Sequence, residues 1–176
     1  MTRKPRDGAP AAADVATDIK QGRPFALRSE EATVNLLLTA DVVRRWGESL
    51  VASSGVTLQQ YNVLRILRGS RPDGLPTLEI AARMIEQTPG ITRLLDRLER
   101  KGLIRRRRCS TDRRQVLCAI TDKGLAQVNA ITAIIRKARQ PMNRLSQKDL
   151  GRLIGLLDAV RQAHRRSLPR RAESIT

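Results

Sequence analysis

The sequence predicts a mainly α-helical fold carrying one small β-hairpin. Three observations predict it. Aromatic residues are only 2% of the 176 residues while hydrophobic residues are 40%, so the core is built from Leu, Ile, Val and Ala, which suit helices better than sheets. Apolar residues recur at helical spacing along most of the chain. One stretch, residues 88–121, changes from that period to an alternation of polar and apolar residues, as a strand pair would, and is crowded with arginine.

In chain order, residues 1–28 are rich in Ala, Pro, Gly and charge without a sustained period, and read as a mobile, basic N-terminal arm, with Phe25 and Leu27 placed to tether its end. Ser29 is the expected N-cap of a helix that runs to about Ala52, with Glu30 and Glu31 in the first turn, where the helix dipole favours acids. Leu36, Ala40, Val43 and Leu50 form one apolar face, and Leu37, Leu38, Val42 and Trp46 widen it well beyond a single stripe. A helix apolar on two sides is buried on two sides. In so short a chain the second side falls to another subunit.

Thr57 caps the next helix, with Leu58, Tyr61, Val63, Leu64 and Leu67 apolar and Gly69 ending it. The stretch SRPDGLP reads as a loop. Thr77 starts a short helix whose Ile80 and Ala81 allow close approach of a crossing helix. A tight turn at Gln87 follows. Thr88 is the expected N-cap of the next helix, with Pro89 at its first position, where a missing N–H costs nothing. Ile91, Leu94, Leu95 and Leu98 bury one face of it, and Gly102 stands where a left-handed cap ends it. Two short helices, a tight turn and a capped second helix make a helix-turn-helix pattern.

The hairpin follows. Its first strand runs from Leu103 through the arginines to Cys109, its tip from Ser110 to Gln115, and its return strand from Val116 to Ile120. Thr121 then caps a long helix carrying Leu125, Val128, Ile131, Ile134 and Ile135, which Pro141 is expected to end. Ser146 and Asp149 resemble a capping box for the last helix, with Leu150, Leu153, Ile154, Leu157 and Val160 on its apolar face.

The formal net charge is +17. Between Arg100 and Arg114 stand eight Lys/Arg and one acid, Asp112. An excess of this size, concentrated beside one helix, points to a polyanion, nucleic acid first and an anionic membrane surface second. The scarcity of aromatics argues against single-stranded nucleic acid, whose bases need stacking platforms. Basic residues on a helix–hairpin unit, rather than along one amphipathic helix, disfavour the membrane surface. No apolar run approaches a membrane span, no secretory signal is read at the N-terminus, and two Cys make no disulfide framework, so the expected location is cytoplasmic. An enzyme is not expected. His164 is the one histidine, and no phosphate loop, nucleophile elbow or metal-ligand cluster stands in the chain, so neither cofactor nor metal is expected.

The run TPGITRLLDRLERKGLI, the tip TDRRQ and the junction VLCAITDKG occur in an order and spacing that resemble the MarR family of winged-helix transcriptional regulators, over about residues 33–162. The resemblance implies a winged helix-turn-helix with N- and C-terminal dimerisation helices: a dimerisation helix over 29–54, a DNA-binding lobe over 55–121, dimerisation helices over 122–166 and a basic tail over 167–176. It further implies a homodimer on pseudo-palindromic double-stranded DNA, most often as a repressor, modulated by a small anionic or amphipathic effector.

On that pattern the helix over 88–100 enters the major groove with its N-terminal end foremost. Thr88, Pro89, Gly90, Thr92 and Arg93 are then nearest the bases, with Arg97 a second candidate for guanine, and Gln87 and Thr77 suit phosphates. Arg113 suits a narrow minor groove and Asp112 orients a neighbouring arginine, as the family's Asp-Arg pair does. Arg114 adds to the tip. Arg105 and Arg107 share one face of their strand and are expected at the DNA, the alternate arginines being solvated. Trp46 and Tyr61 are the effector-site candidates, although both also suit ordinary packing. Cys109, after four arginines, is the redox candidate, since nearby cations favour thiolate, while Cys118 reads as a core residue. The rival functions are an architectural, non-specific DNA binder and a thiol-oxidation-responsive regulator acting through Cys109.

Overall fold

A computed structural model describes residues 15–86, 90–108, 115–138 and 140–167. It divides into two compact units, one ending at Ile131 and one beginning at Thr132. The first unit contains α1 (Val15–Asp18), α2 (Arg28–Val51), a 3₁₀ turn (Ala52–Ser54), α3 (Leu58–Arg68), β1 (Leu75–Pro76), α4 (Thr77–Arg83), α5 (Ile91–Arg100), β2 (Ile104–Arg108), β3 (Val116–Ile120) and most of α6 (Asp122–Lys137). The second holds the end of α6, a 3₁₀ turn (Pro141–Arg144) and α7 (Gln147–Ser167). Among the described residues no helix is long and apolar enough to cross a membrane.

The core of the first unit is aliphatic, as the composition required. Val63, Leu64, Leu67, Ile80, Leu95, Leu98, Ile104, Cys118, Val128 and Ile131 are fully buried. Burying such side chains contributes about 1.5–3 kcal/mol each. Helix α3 begins with a full capping box: Gln60 N–H donates to Thr57 Oγ1 at 3.2 Å, and Thr57 N–H donates to Gln60 Oε1 at 3.1 Å. The Thr121 hydroxyl caps α6 by accepting the Gly124 N–H at 3.0 Å.

The expected two-stranded hairpin is part of a three-stranded antiparallel sheet in the order β1-β3-β2. Arg106 pairs with Cys118 and Arg107 with Leu117, while on the other edge of β3 Leu75 also pairs with Cys118. The stretch SRPDGLP is therefore not all loop. Its end forms a strand because Gly74, at φ 75°, lets the backbone approach β3 so closely that a Cβ there would lie 2.4 Å from the Cys118 carbonyl oxygen.

Four further expectations are corrected. Helix α2 begins one residue earlier than Ser29 and is preceded by extended Leu27, with no side-chain cap; Ser29 instead offers its carbonyl to the Thr33 hydroxyl at 2.8 Å. The N-terminal arm is ordered at its inner end, where Val15–Asp18 makes a helical turn and Val15 is buried. Helix α5 starts at Ile91 with Gly90 as its N-cap residue, rather than at Thr88. Helix α6 ends at Lys137 rather than at Pro141, which begins the 3₁₀ turn. The Ser146 cap stands, since its hydroxyl accepts the Asp149 N–H at 3.1 Å, but it also donates to the Asp149 carboxylate at 2.6 Å.

Candidate nucleic-acid interface

Helix α5 turns Leu94, Leu95 and Leu98 into the core and leaves Thr92, Arg93, Arg97 and Arg100 exposed. Its end is a complete Schellman cap: Gly102, at φ 69°, donates to the Glu99 carbonyl at 2.8 Å, and Leu103 N–H donates to the Leu98 carbonyl at 3.0 Å. The left-handed residue reverses the chain at once, so β2 starts beside the helix it follows. Lys101 Nζ then reaches back and donates to the Gly55 carbonyl, while the Lys101 carbonyl accepts Lys123 Nζ at 2.9 Å.

Strand alternation divides the four arginines of β2, but of the two expected in solvent only Arg108 is exposed. Arg106 shares the face of buried Ile104 and is not solvated. Its Nη1 lies 2.7 Å from Asp96 Oδ1 and 2.8 Å from Glu99 Oε2, and its backbone N–H donates to Glu99 Oε1 at 3.0 Å. On the other face, Arg107 Nη2 donates to the Asp73 carbonyl at 2.8 Å, and Arg105 lines a cavity of about 260 Å³ with Arg71 and Asp122. Arg108 is exposed.

Burial works to lower the Arg106 pKa, but hydrogen bonds to Asp96 and Cys118 and the charges of Glu99 and Asp96 outweigh it and raise the value. For the Cys118 thiol, burial is the largest influence and pushes the pKa up, against opposing effects of Arg106 and Thr77. Thr77, at the first position of α4, is thus turned toward Cys118 on β3.

A larger cavity, about 660 Å³, lies between the end of α2, α3, the residues Met84, Ile85 and Glu86, and helix α5. Arg44, Glu48, Tyr61, Arg65 and Arg97 line it. The Arg65 guanidinium carbon stands 5.9 Å from the centre of the Tyr61 ring, within cation–π range. Of the two aromatic candidates, only Tyr61 is in its wall; Trp46 is half-buried on α2 outside it. On α2, hydrogen bonds from Arg44 to Asp41 and Glu48 raise the Arg44 pKa, and the same bond is the largest influence lowering that of Asp41. Arg97 makes no ion pair among the described residues and belongs to this wall as well as to the exposed side of α5.

Gln87, Thr88, Pro89, Cys109, Asp112, Arg113 and Arg114 lie outside the described residues. Sequence reasoning missed β1, the acid pair around Arg106 and the cavity arginines Arg44 and Arg65. The acid pair was within its reach: Asp96 and Glu99 are three apart, hence on one helix face, and Arg106 is two from Ile104, hence on the strand's inner face.

A helix-turn-helix whose second helix runs through a Schellman turn into an arginine-rich hairpin defines a winged helix-turn-helix protein. The MarR family profile matches residues 56–116. A Thauera aromatica protein, named for a transcriptional regulatory role at the hcr operon, is 31% identical over 115 residues, 65% of this chain and 68% of its own. The crystal structure of a MarR transcription factor from Planctomyces limnophilus is 37% identical, with a TM-score of 0.57 over 78% of this chain and 99% of that one. CouR, a transcriptional repressor solved on a 23-mer DNA duplex, is 26% identical, with a TM-score of 0.66 over 80% of this chain and 99% of its own. CouR from Rhodococcus jostii RHA1, solved with p-coumaroyl-CoA, matches at 22% identity and TM-score 0.66 over 77% of this chain and 95% of its own, a likeness of fold. The chain belongs to the MarR family and is a DNA-binding transcriptional regulator.

Proposed function

We propose that the protein is a repressor that binds a pseudo-palindromic duplex operator as a homodimer in the cytoplasm and is released by a small anionic or amphipathic effector. The observation that carries this reading is the exposed side of α5, with Thr92, Arg93 and Arg100 beside a hairpin of arginines in a chain of net charge +17. Gly90, Thr92 and Arg93 read bases in the major groove, and Arg93 donates to the O6/N7 edge of guanine. Thr88 and Pro89, outside the described residues, are assigned to the bases with them, and Thr77 and Gln87 to phosphates. Arg113, aimed by Asp112 and assisted by Arg114, enters the flanking minor groove. Arg105 and Arg107 serve the general positive field, one at a cavity rim and one held by Asp73.

The dimer is supported by unburied apolar surface in each unit taken by itself. In the first, Leu36, Leu37 and Val42 of α2 are exposed; in the second, Ile154, Leu156 and Val160 of α7 are. The effector reading is supported by the 660 Å³ cavity, which has an apolar and aromatic floor at Val51, Val56 and Tyr61 and guanidinium groups from Arg65 and Arg97. Because Arg97 is on α5, a ligand that binds it better in one orientation of α5 shifts the population toward that orientation. Oxidation at Cys109 is the second switch to be tested.

Selection of the preferred duplex by the purified protein, followed by competition with bulk DNA, is the test. A palindrome preferred by about 10³ or more over bulk DNA supports the regulator reading. Equal binding to every duplex makes it an architectural protein and overturns that reading.

A further inference from the structure

We propose that Arg106 is a positioning residue, which couples the angle of the recognition helix to that of the wing, and that Asp96 and Glu99 serve DNA binding by holding it. This rests on the binding mode just proposed, with α5 and the hairpin in adjacent grooves.

The geometry is that of a clamp between two elements. Asp96 and Glu99 lie one turn apart on α5 and both meet the Arg106 Nη1, at 2.7 and 2.8 Å. The second Glu99 oxygen takes the Arg106 backbone N–H at 3.0 Å. Strand β2 is an edge strand, paired with β3 on one side only, and the Arg106 N–H points to its open side. That N–H therefore has no neighbouring strand to pair with, and a carboxylate from the recognition helix occupies its place. The helix thus holds both the side chain and the backbone of one wing residue.

A placement of this kind matters because a protein entering two grooves must present both elements at one fixed separation. A hinge between them would spread the wing tip over many positions and lose the cooperation of the two contacts. There is also an electrostatic side. Asp96 and Glu99 are two acids on the helix that faces a polyanion. Left bare, they would repel phosphates; clamped to Arg106, their charge is opposed within the protein. The Arg106 side chain is only 25% exposed. It is therefore poorly placed to serve as one more phosphate contact.

Full-length variants Arg106→Lys and Glu99→Gln, tested on the selected duplex, separate the two roles. A lysine keeps the charge, but its shorter side chain ends one bond short of the Nη1 position at which Asp96 and Glu99 meet the guanidinium. If Arg106 held a phosphate, Arg106→Lys would change affinity little, and Glu99→Gln, which removes a negative charge beside DNA, would tighten binding. The clamp predicts the opposite sign for Glu99→Gln: weaker binding, with each variant losing about tenfold or more, the size of a charge-assisted bond. The double variant should be no worse than the stronger single one, because the two act through one contact.

Footprinting supplies a readout that general damage to the fold would not reproduce. Minor-groove protection at the flanks should be lost in both variants while protection of guanine N7 in the major groove persists. An unchanged footprint, a Glu99→Gln variant that binds more tightly, or loss of both protections with loss of helical circular dichroism each overturns the proposal. If the native protein itself shows no flanking minor-groove protection, the two-groove binding mode fails, which is a separate result.

Discussion

Gly124, in the first turn of α6, lies so close to Leu103 that a Cβ added to it would stand 2.0 Å from the Leu103 carbonyl oxygen. The same carbonyl accepts the Thr121 N–H at 3.1 Å, and the Thr121 hydroxyl donates to the Gly102 carbonyl at 2.7 Å. The turn that ends α5 and the turn that starts α6 are therefore one packed joint. No side chain at 124 fits without moving backbone on one side. Gly124→Ala should lower stability by roughly 2–4 kcal/mol, with a correspondingly lower Tm, even though alanine is the better helix former. An unchanged Tm would show that this joint is looser than its distances imply. Gly74→Ala should behave alike, since its Cβ would meet the Cys118 carbonyl and its φ is positive.

Arg93 and Arg113 should differ in kind. Arg93→Ala should cost about 1–3 kcal/mol on the preferred duplex and relax the preference at particular base pairs. Arg113→Ala should weaken binding to many sequences and reduce the salt slope by about 1. With ~6–10 phosphates neutralised by two subunits, the native protein should lose orders of magnitude of affinity between ~50 and ~200 mM salt. Titrations at several salt concentrations, on the preferred duplex and on single-base variants of it, separate these outcomes. Salt-independent binding would remove the electrostatic mechanism altogether.

Cys118 is fully buried between Arg106 and Thr77, and burial raises its pKa above the ordinary 9.0. Below about pH 9 the thiol is neutral in both folded and unfolded chains, and its contribution to stability is complete. As pH rises further, the unfolded chain ionises first, so that contribution is lost. Stability should accordingly fall at alkaline pH more steeply in the native protein than in Cys118→Ala. In a Cys109→Ser background, alkylation of the remaining thiol at pH 8 should be slow until denaturant is added. Rapid alkylation of the folded protein would mean that the thiol is reached without unfolding.

Leu37 on α2 is 65% exposed and Ile154 on α7 is 59% exposed. If a second copy covers them, Leu37→Lys and Ile154→Lys should shift the sedimentation profile toward monomer. Operator affinity should then fall by ~10²–10⁴-fold, because two half-sites are no longer joined, although each lysine adds positive charge. Tighter DNA binding by unchanged dimers would place the interface elsewhere.

The local devices were written in single stretches of sequence. Thr57 with Gln60, Thr121 ahead of α6, Gly102 after α5 and the apolar spacing of Leu94, Leu95 and Leu98 each act within a few residues, so spacing alone determines them. So did the arginine-rich hairpin and the family itself, whose motifs are contiguous. Tertiary structure decided what depends on distant partners. The two residues Leu75 and Pro76 become a strand only because β3 lies beside them and Gly74 lets them approach. Arg106 is set apart from its three arginine neighbours only because α5 brings Asp96 and Glu99 to its face of the sheet. Tyr61 lines the larger cavity and Trp46 stands outside that cavity's wall, although both are aromatic residues on apolar helices. A sequence states which residues share a face of an element; only packing determines what that face meets.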